Sequence, residues 1–177
     1  MIETERLRLR GWTMEDAEPF IRHLNTPAVM RWIGGVRPPE ALREVVQRFI
    51  RWQEARGFTF WLVERKSDGA HLGFCGLKIA DDPGTAVEGL LEIGWRLRED
   101  AWGQGYAREA AEASLDFAFR ELGADRVIAL TVNGNSPSWG LMLRLGMTRR
   151  PEFDYEGAEW AEGPIIVYEL KRAQWRT

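Results

Sequence analysis

Two hydrophobic periods alternate along the chain, and the switches between them mark out its elements. Apolar and basic residues alternate in Arg6-Leu7-Arg8-Leu9-Arg10, which predicts a half-buried first strand. Thr13-Met14-Glu15-Asp16 has capping-box spacing and opens a helix expected to reach about Leu24, where Asn25-Thr26-Pro27 stops it. A short segment, Val29 to Ile33, precedes the breakers Gly34-Gly35 and Pro38-Pro39. From Glu40 to Arg56, the positions Leu42, Val45, Val46, Phe49, Ile50 and Gln53 fall at helical spacing, and Gly57 closes that helix.

The period then changes to that of strands. Phe58 to Val63 and His71 to Ile79, joined at Ser67-Asp68-Gly69, read as a hairpin. After the loop Asp81-Asp82-Pro83-Gly84, a strand over Val87 to Leu97 puts Leu91, Ile93, Trp95 and Leu97 on one face and Glu92, Gly94 and Arg96 on the other. The turn Trp102-Gly103-Gln104-Gly105-Tyr106-Ala107 feeds an alanine-rich helix, Ala107 to Leu122, closed by Gly123. A buried strand, Arg126 to Val132, is followed by a helix capped within Asn135-Ser136-Pro137-Ser138 and ended by Leu145-Gly146. Strands from about Met147 and over Ile165 to Leu170 complete the chain. The order β-α-α-β-β-β-α-β-α-β-β predicts an α+β fold around a mixed sheet. No internal repeat or linker divides it, so one domain over residues 1–177 is expected.

Composition adds limits. The chain is 45% hydrophobic and 29% charged, ordinary for a soluble protein, but its nine Trp exceed an average share and predict rings in the core and around a pocket. A net charge of -3 with interspersed basic residues leaves no basic stripe and argues against nucleic acid. Cys75 is the single cysteine, which excludes an intramolecular disulfide and a cysteine metal cluster; a small buried residue is expected there. His23 and His71 lack metal-ligand company, so no metal is expected. Without a signal pattern or an apolar run long enough to cross a bilayer, a cytoplasmic protein with no membrane partner is expected.

The chemistry centres on the glycine turn. A strand that ends in such a turn and feeds a helix presents unpaired N–H groups and the positive end of a helix dipole to one point, where phosphate binds. Gly103 and Gly105 would let a diphosphate approach the main chain, and Ala107 keeps the helix start uncluttered. Taken alone, the same pattern also serves as a plain connection. The dinucleotide fingerprint would need Gly in place of Arg108, and the P-loop pattern is absent.

Glu92-Ile93-Gly94-Trp95 followed by Trp102-Gly103-Gln104-Gly105-Tyr106-Ala107-Arg108-Glu109-Ala110 resembles the central motif of the GNAT acetyltransferases, in the form of their RimJ/RimL-like branch. Asn135-Ser136-Pro137-Ser138 with Leu145-Gly146-Met147, and the first strand Glu3 to Arg10, are similar to further motifs of that branch. The resemblance runs from residue 2 to about residue 171. It implies a GNAT-like, mostly antiparallel twisted sheet of about 6–7 strands with about 4 helices. It also implies acetyl-coenzyme A as cosubstrate and a primary amine, either a protein N-terminus or a small molecule, as acceptor; a homodimer is a family expectation.

By the same resemblance, residues Trp102, Gly103, Gln104, Gly105, Tyr106 and Ala107 would hold the coenzyme diphosphate. Main-chain groups of Trp95 and Leu97 would pair with its pantetheine arm, and Asn135 would bond that arm. Glu92 would be the general base, acting through water, with an oxyanion donor among the N–H groups from Ile93 to Trp95. Ser138 would protonate the leaving thiolate or contact the cofactor, and equally could be a helix cap; Tyr155 and Tyr168 are spare acids. The chain departs from the broad family in having Trp102 at the opening of the phosphate loop and Met142 where many members carry a tyrosine acid. For the acceptor pocket, Trp32 is the single bet, among lining candidates Phe58, Phe60, Trp61, Phe74, Phe153, Tyr155 and Trp160. Such a pocket favours an apolar or flat acceptor, or a peptide N-terminus, over a polycation. A non-catalytic acyl-coenzyme A sensor and a transferase of another acyl group are the alternatives.

Overall fold

Alternation along the strands decides which face of the sheet each helix covers. The computed structural model describes residues 1–157, 161 and 163–175. Strands β1 (Ile2–Glu3), β2 (Leu7–Arg10), β3 (Phe60–Arg65), β4 (His71–Ile79), β5 (Leu91–Leu97), β6 (Arg126–Val132), β7 (Thr148–Arg149) and β8 (Ile165–Lys171) form one sheet in the order β1-β2-β3-β4-β5-β6-β8-β7. Among the described strands only β5 and β6 run parallel. Among the described residues five helices accompany it: α1 (Ala17–Leu24), α2 (Pro27–Met30), α3 (Pro39–Arg56), α4 (Tyr106–Arg120) and α5 (Ser136–Arg144).

The mixed, mostly antiparallel sheet is as expected, and the counts exceed expectation by one each. The extra strand is β1, held by pairing Ile2 with Leu9, and the extra helix is α2, whose first turn is capped by Thr26. Several boundaries also move. Helix α1 is preceded by a separate 3₁₀ turn, Met14–Asp16, in which the Asp16 carboxylate accepts the Thr13 N–H at 2.8 Å. Strand β5 begins at Leu91 rather than Val87, because Ala80 donates to the Leu90 carbonyl (2.8 Å) and Gly89 to the Ala80 carbonyl (2.9 Å), which folds that stretch back on itself. Helix α4 spans Tyr106–Arg120, starting one residue early and ending before Leu122, whose N–H bonds back to the Phe117 carbonyl.

One face of the sheet, with Leu9, Trp61, Cys75, Leu77, Ile93 and Leu97, packs under α4 and α5. The alanines of α4, Ala110, Ala111 and Ala118, let that helix approach closely. The Cys75 thiol lies 3.7 Å from the Ser114 hydroxyl, and burial pushes it up to about 12, so it is an inert core residue. On the opposite face Phe60, Leu62 and Phe74 meet α1 and α3 through Phe20, Leu24, Leu42, Val46 and Phe49. The Phe60 and Phe74 rings stack at 5.3 Å. A smaller cluster on this second side, Ala80, Val87, Ile128 and Val167, is covered by Phe153 and Tyr155.

The junction of β5 with β6 differs from every other junction in the sheet. Strand β5 pairs with β4 along its whole length, from Gly73–Leu97 to Ile79–Leu91. With β6 it pairs only at Glu92–Ile128. Past Glu92 the edge of β5 that faces β6 therefore has no strand partner.

Candidate active site

The C-terminal end of β5 runs through a helical turn, Glu99–Ala101, into the glycine turn. Gly103 (φ 72°) and Gly105 (φ 82°) take the left-handed conformation that favours glycine, and Gly105 is the residue before α4. None of the main-chain N–H groups from Gly103 to Arg108 finds an acceptor among the described residues. A Cβ placed on Gly103 would meet nothing within 4 Å. An open turn of free N–H groups at the head of a 15-residue helix fits a diphosphate.

The turn is held by its own side chains. Trp102 donates its indole N–H to the Leu97 carbonyl (2.8 Å), leaving the ring half exposed, and Gln104 donates to the Asp100 carbonyl (2.7 Å). The Tyr106 side chain points into the core, so only its main chain faces the turn. Arg6 braces the turn from behind: it donates to the Gln104 carbonyl (3.0 Å) and its guanidinium lies 4.5 Å from the Tyr106 ring centroid. Glu109 accepts from Arg6 Nε at 2.6 Å, Arg6 N–H at 2.9 Å and the Thr4 hydroxyl at 2.5 Å.

Along β5, register pairs Lys78 with Glu92, Gly76 with Gly94 and Phe74 with Arg96, all on the face away from α4, with Glu92 toward the end remote from the glycine turn. Glu92 is buried rather than solvated. Burial raises its carboxyl to about 7, against the opposing pull of Lys78, whose Nζ stands 3.2 Å from Glu92 Oε2 and 2.6 Å from Asp81 Oδ1. Tyr155 donates its hydroxyl to Asp82 (2.9 Å), and burial together with that carboxylate raises its pKa, so the proton is engaged. Tyr168 lies on the α4 side of the sheet and does not reach this cleft.

Strand β6 leads to the second predicted segment. Asn135 occupies the N-cap position of α5, and its side chain has no hydrogen-bond partner among the described residues. Ser138 sits in the first turn with its N–H bonded to the Asn135 carbonyl (3.1 Å); its hydroxyl bonds no main-chain group, so the cap reading fails. Met142 lies on the buried face of α5. Trp32 lies against the main chain of Gly134, where a Cβ would come within 2.6 Å of the ring, one residue before Asn135 in the turn that follows β6. Of the other lining candidates, Phe58 and Trp61 pack on the α4 side, Phe60 and Phe74 belong to the aromatic core, and Phe153 and Tyr155 cover Ile128 and Val167. Trp160 lies outside the described residues.

A family model described as an acetyltransferase (GNAT) domain matches residues 6–148. The chain belongs to the GNAT acetyltransferases. It is 34% identical over 171 residues to the protein YkkB of Bacillus subtilis, covering 95% of this chain and 94% of the relative. It is 27% identical over 177 residues to the N-acetyltransferase p20 of Bacillus licheniformis, covering 97% of this chain and 96% of the relative. Among solved structures, a GNAT-family acetyltransferase from Bacillus anthracis shares the fold with a TM-score of 0.80 at 24% identity, over 97% of this chain and 98% of that one.

As a GNAT enzyme the chain is an acetyltransferase, and the sensor reading is set aside. No group of three or more His, Cys, Asp or Glu among the described residues could hold a metal ion, and no helix among them is long and apolar enough to cross a membrane. Sequence reasoning missed Arg6, Lys78 and Asp82 at this GNAT site. Arg6 was legible only as a strand residue, and Lys78 meets Glu92 through a cross-strand register that one sequence does not print.

Proposed function

We propose that this GNAT enzyme transfers the acetyl group of acetyl-coenzyme A to a primary amine, with Glu92 as general base acting through water. The observation that carries the reading is one strand with two ends: free N–H groups of the glycine turn at one, a buried carboxyl near neutral pKa at the other. Acetyl-coenzyme A, when bound, supplies the activated acyl thioester. The N–H groups of Gly103, Gln104, Gly105, Tyr106 and Ala107 hold the diphosphate with the α4 dipole behind them. The unpaired edge of β5 at Trp95 offers main-chain groups to the pantetheine arm, and the Asn135 amide, without a hydrogen-bond partner among the described residues, is available to bond the same arm. The Leu97 carbonyl is already taken by Trp102, so Trp95 is the strand's principal contact.

Glu92 near 7 suits an α-amine, ordinarily about 7.7–8.0, better than a lysine amine near ~10.4. The carboxylate accepts the amine proton through water, the N–H groups from Ile93 to Trp95 stabilise negative charge on oxygen, and Ser138 returns a proton to the departing sulfur. Trp32 forms a wall of the acceptor site. Trp102 and the first-strand motif support assignment to the RimJ/RimL-like branch. In the test, acetyl-coenzyme A raises the melting temperature of the wild type and Gly105→Glu abolishes the rise by straining the left-handed turn and setting a carboxylate against its brace, Arg6. Absence of a rise in the wild type refutes the cofactor. Thiol release across a panel of amines and N-terminal peptides then identifies the acceptor.

A further inference from the structure

Arginines that solvent only partly reaches hold carboxylates throughout this protein. Arg10 pairs with Asp16, Arg43 with Glu18, Arg65 with Asp68, Arg98 with Asp100, Arg149 with Asp154 and Arg150 with Glu169. Arg96 is the exception: partly buried, it has no carboxylate partner among the described residues. Its guanidinium lies over the Phe74 ring, 5.2 Å from the centroid, with Nη1 3.5 Å from Met30 Sδ. A ring face and a thioether leave most of five N–H donors and a full charge without a protein partner among the described residues. The neighbouring charge has the same sign, from Arg37, whose loop is fixed by Asn25 through bonds of 2.9 and 2.8 Å. Burial and Arg37 lower Arg96 to about 10, which leaves it cationic at neutral pH.

This cation shares a face of β5 with Glu92, four positions along the strand, a Cα separation of about 13 Å. This face of the strand is therefore bipolar, with the Phe60 ring over Gly94 between its two ends. Glu92, Asp81 and Asp82 surround Lys78 and Tyr155 at one end, and Arg96 with Arg37 stands at the other. We propose that Arg96 recognises the acceptor, and that the acceptor is an amine bearing a carboxylate, which the guanidinium fork grips while the amine points toward Glu92. A planar carboxylate matches the fork by two parallel bonds and supplies the charge the site lacks. The inference rests on the proposed transfer reaction, with the acceptor on the Glu92 side of β5. It excludes polyamines, which would bring more positive charge to Arg96 and Arg37.

The test compares α- and ω-amino acids of increasing chain length with their carboxamides, alongside aminoalkylphosphonates and polyamines, by thiol release with acetyl-coenzyme A. The wild type is expected to favour the best acid over its amide by at least about tenfold in kcat/KM. Arg96→Gln brings that ratio to near one, and Arg96→Lys, which keeps the charge without the fork, recovers part of it. The acetyl-coenzyme A melting shift is followed in each variant to show that fold and coenzyme site persist. A wild-type ratio of one or below, or an Arg96→Gln variant with the wild-type ratio and only a lower melting temperature, overturns the inference and leaves the acetyltransferase reading standing. A missing coenzyme shift strikes that reading instead. Faster turnover of phosphonates than carboxylates overturns the carboxylate assignment. If no amine in the panel turns over, melting shifts of the coenzyme A-loaded protein with N-acetylated amino acids and their amides decide: a larger shift with the acids supports the inference, and equal shifts overturn it.

Discussion

Glu92→Gln separates two effects that share one cause, the burial of a carboxyl beside Lys78. Raising the group from 4.5 to about 7 costs the ionised form about 3 kcal/mol, at about 1.4 kcal/mol per pH unit. The folded chain holds this proton more tightly than the unfolded chain. Its stabilising contribution is therefore whole below pH 4.5, declines as pH climbs to about 7, and is gone above. Gln keeps the volume and cannot ionise, while Lys78 retains Asp81 at 2.6 Å. The variant is expected to gain on the wild type by about 3 kcal/mol between about pH 4.5 and about pH 8, roughly 6–12 °C in melting temperature for a chain of this size. Activity moves the other way. Wild-type kcat/KM rises through about pH 7 as the carboxylate forms, and the Gln variant falls by about 100- to 10,000-fold. Melting curves at a series of pH values and thiol-release profiles measure both. A melting difference that stays constant with pH refutes the burial account; undiminished turnover by Glu92→Gln refutes the base.

Gly134→Ala drives a Cβ within 2.6 Å of the Trp32 ring and displaces it, so acceptor KM should rise several-fold while the acetyl-coenzyme A melting shift stays; an unchanged KM removes Trp32 from the acceptor wall. Glu109→Gln loosens the brace behind the glycine turn. Burial pushes the Glu109 carboxyl up, but bonds from Thr4 and Arg6 outweigh it and the net shift is down. Its contribution is thus present above the ordinary carboxylate range and lost as pH falls through the folded value. The variant should lose about 2 kcal/mol at neutral pH, less in acid, and bind acetyl-coenzyme A more weakly, read from urea midpoints and coenzyme titration.

Legibility in the sequence followed the length and punctuation of each element. Helix α3 was readable because its buried Leu42, Val46 and Phe49 repeat over 18 residues, and Gly57, at φ 76°, ends it as only glycine readily does. The glycine turn was readable for the same reason, since left-handed backbone at residues 103 and 105 leaves its mark as a residue type. Helix α2 and strand β1 were not, because a single turn and a two-residue strand contain no period. Alternation placed Glu92 correctly among Gly94 and Arg96 but not its burial. Tyr155, distant in sequence, comes close enough for the Glu92 charge to act on its hydroxyl, and Ile128, opposite Glu92 on β6, belongs to a buried cluster with Val87. Lys78 and Phe74 were visible as strand residues, yet their roles depend on the register that sets them opposite Glu92 and Arg96.

That dependence ties the chemistry to the fold through β5. Its β4 edge is fixed by pairing along the whole strand, whereas its β6 edge is closed only at Glu92–Ile128. Glu92 therefore sits at the fork, the last position where both neighbours exclude water, which is why its carboxyl is desolvated. Two residues on, Gly94 has no side chain because the Phe60 ring occupies the space: a Cβ there would lie 2.9 Å from it. Two further on, Arg96 brings a cation over Phe74. Carboxyl, aromatic ring and cation follow one another at the period of the strand. A slip of β5 by one residue would turn Ile93 and Trp95 into the cleft and press Glu92 against α4, so the pairing that buries the core on one face is the pairing that assembles the site on the other.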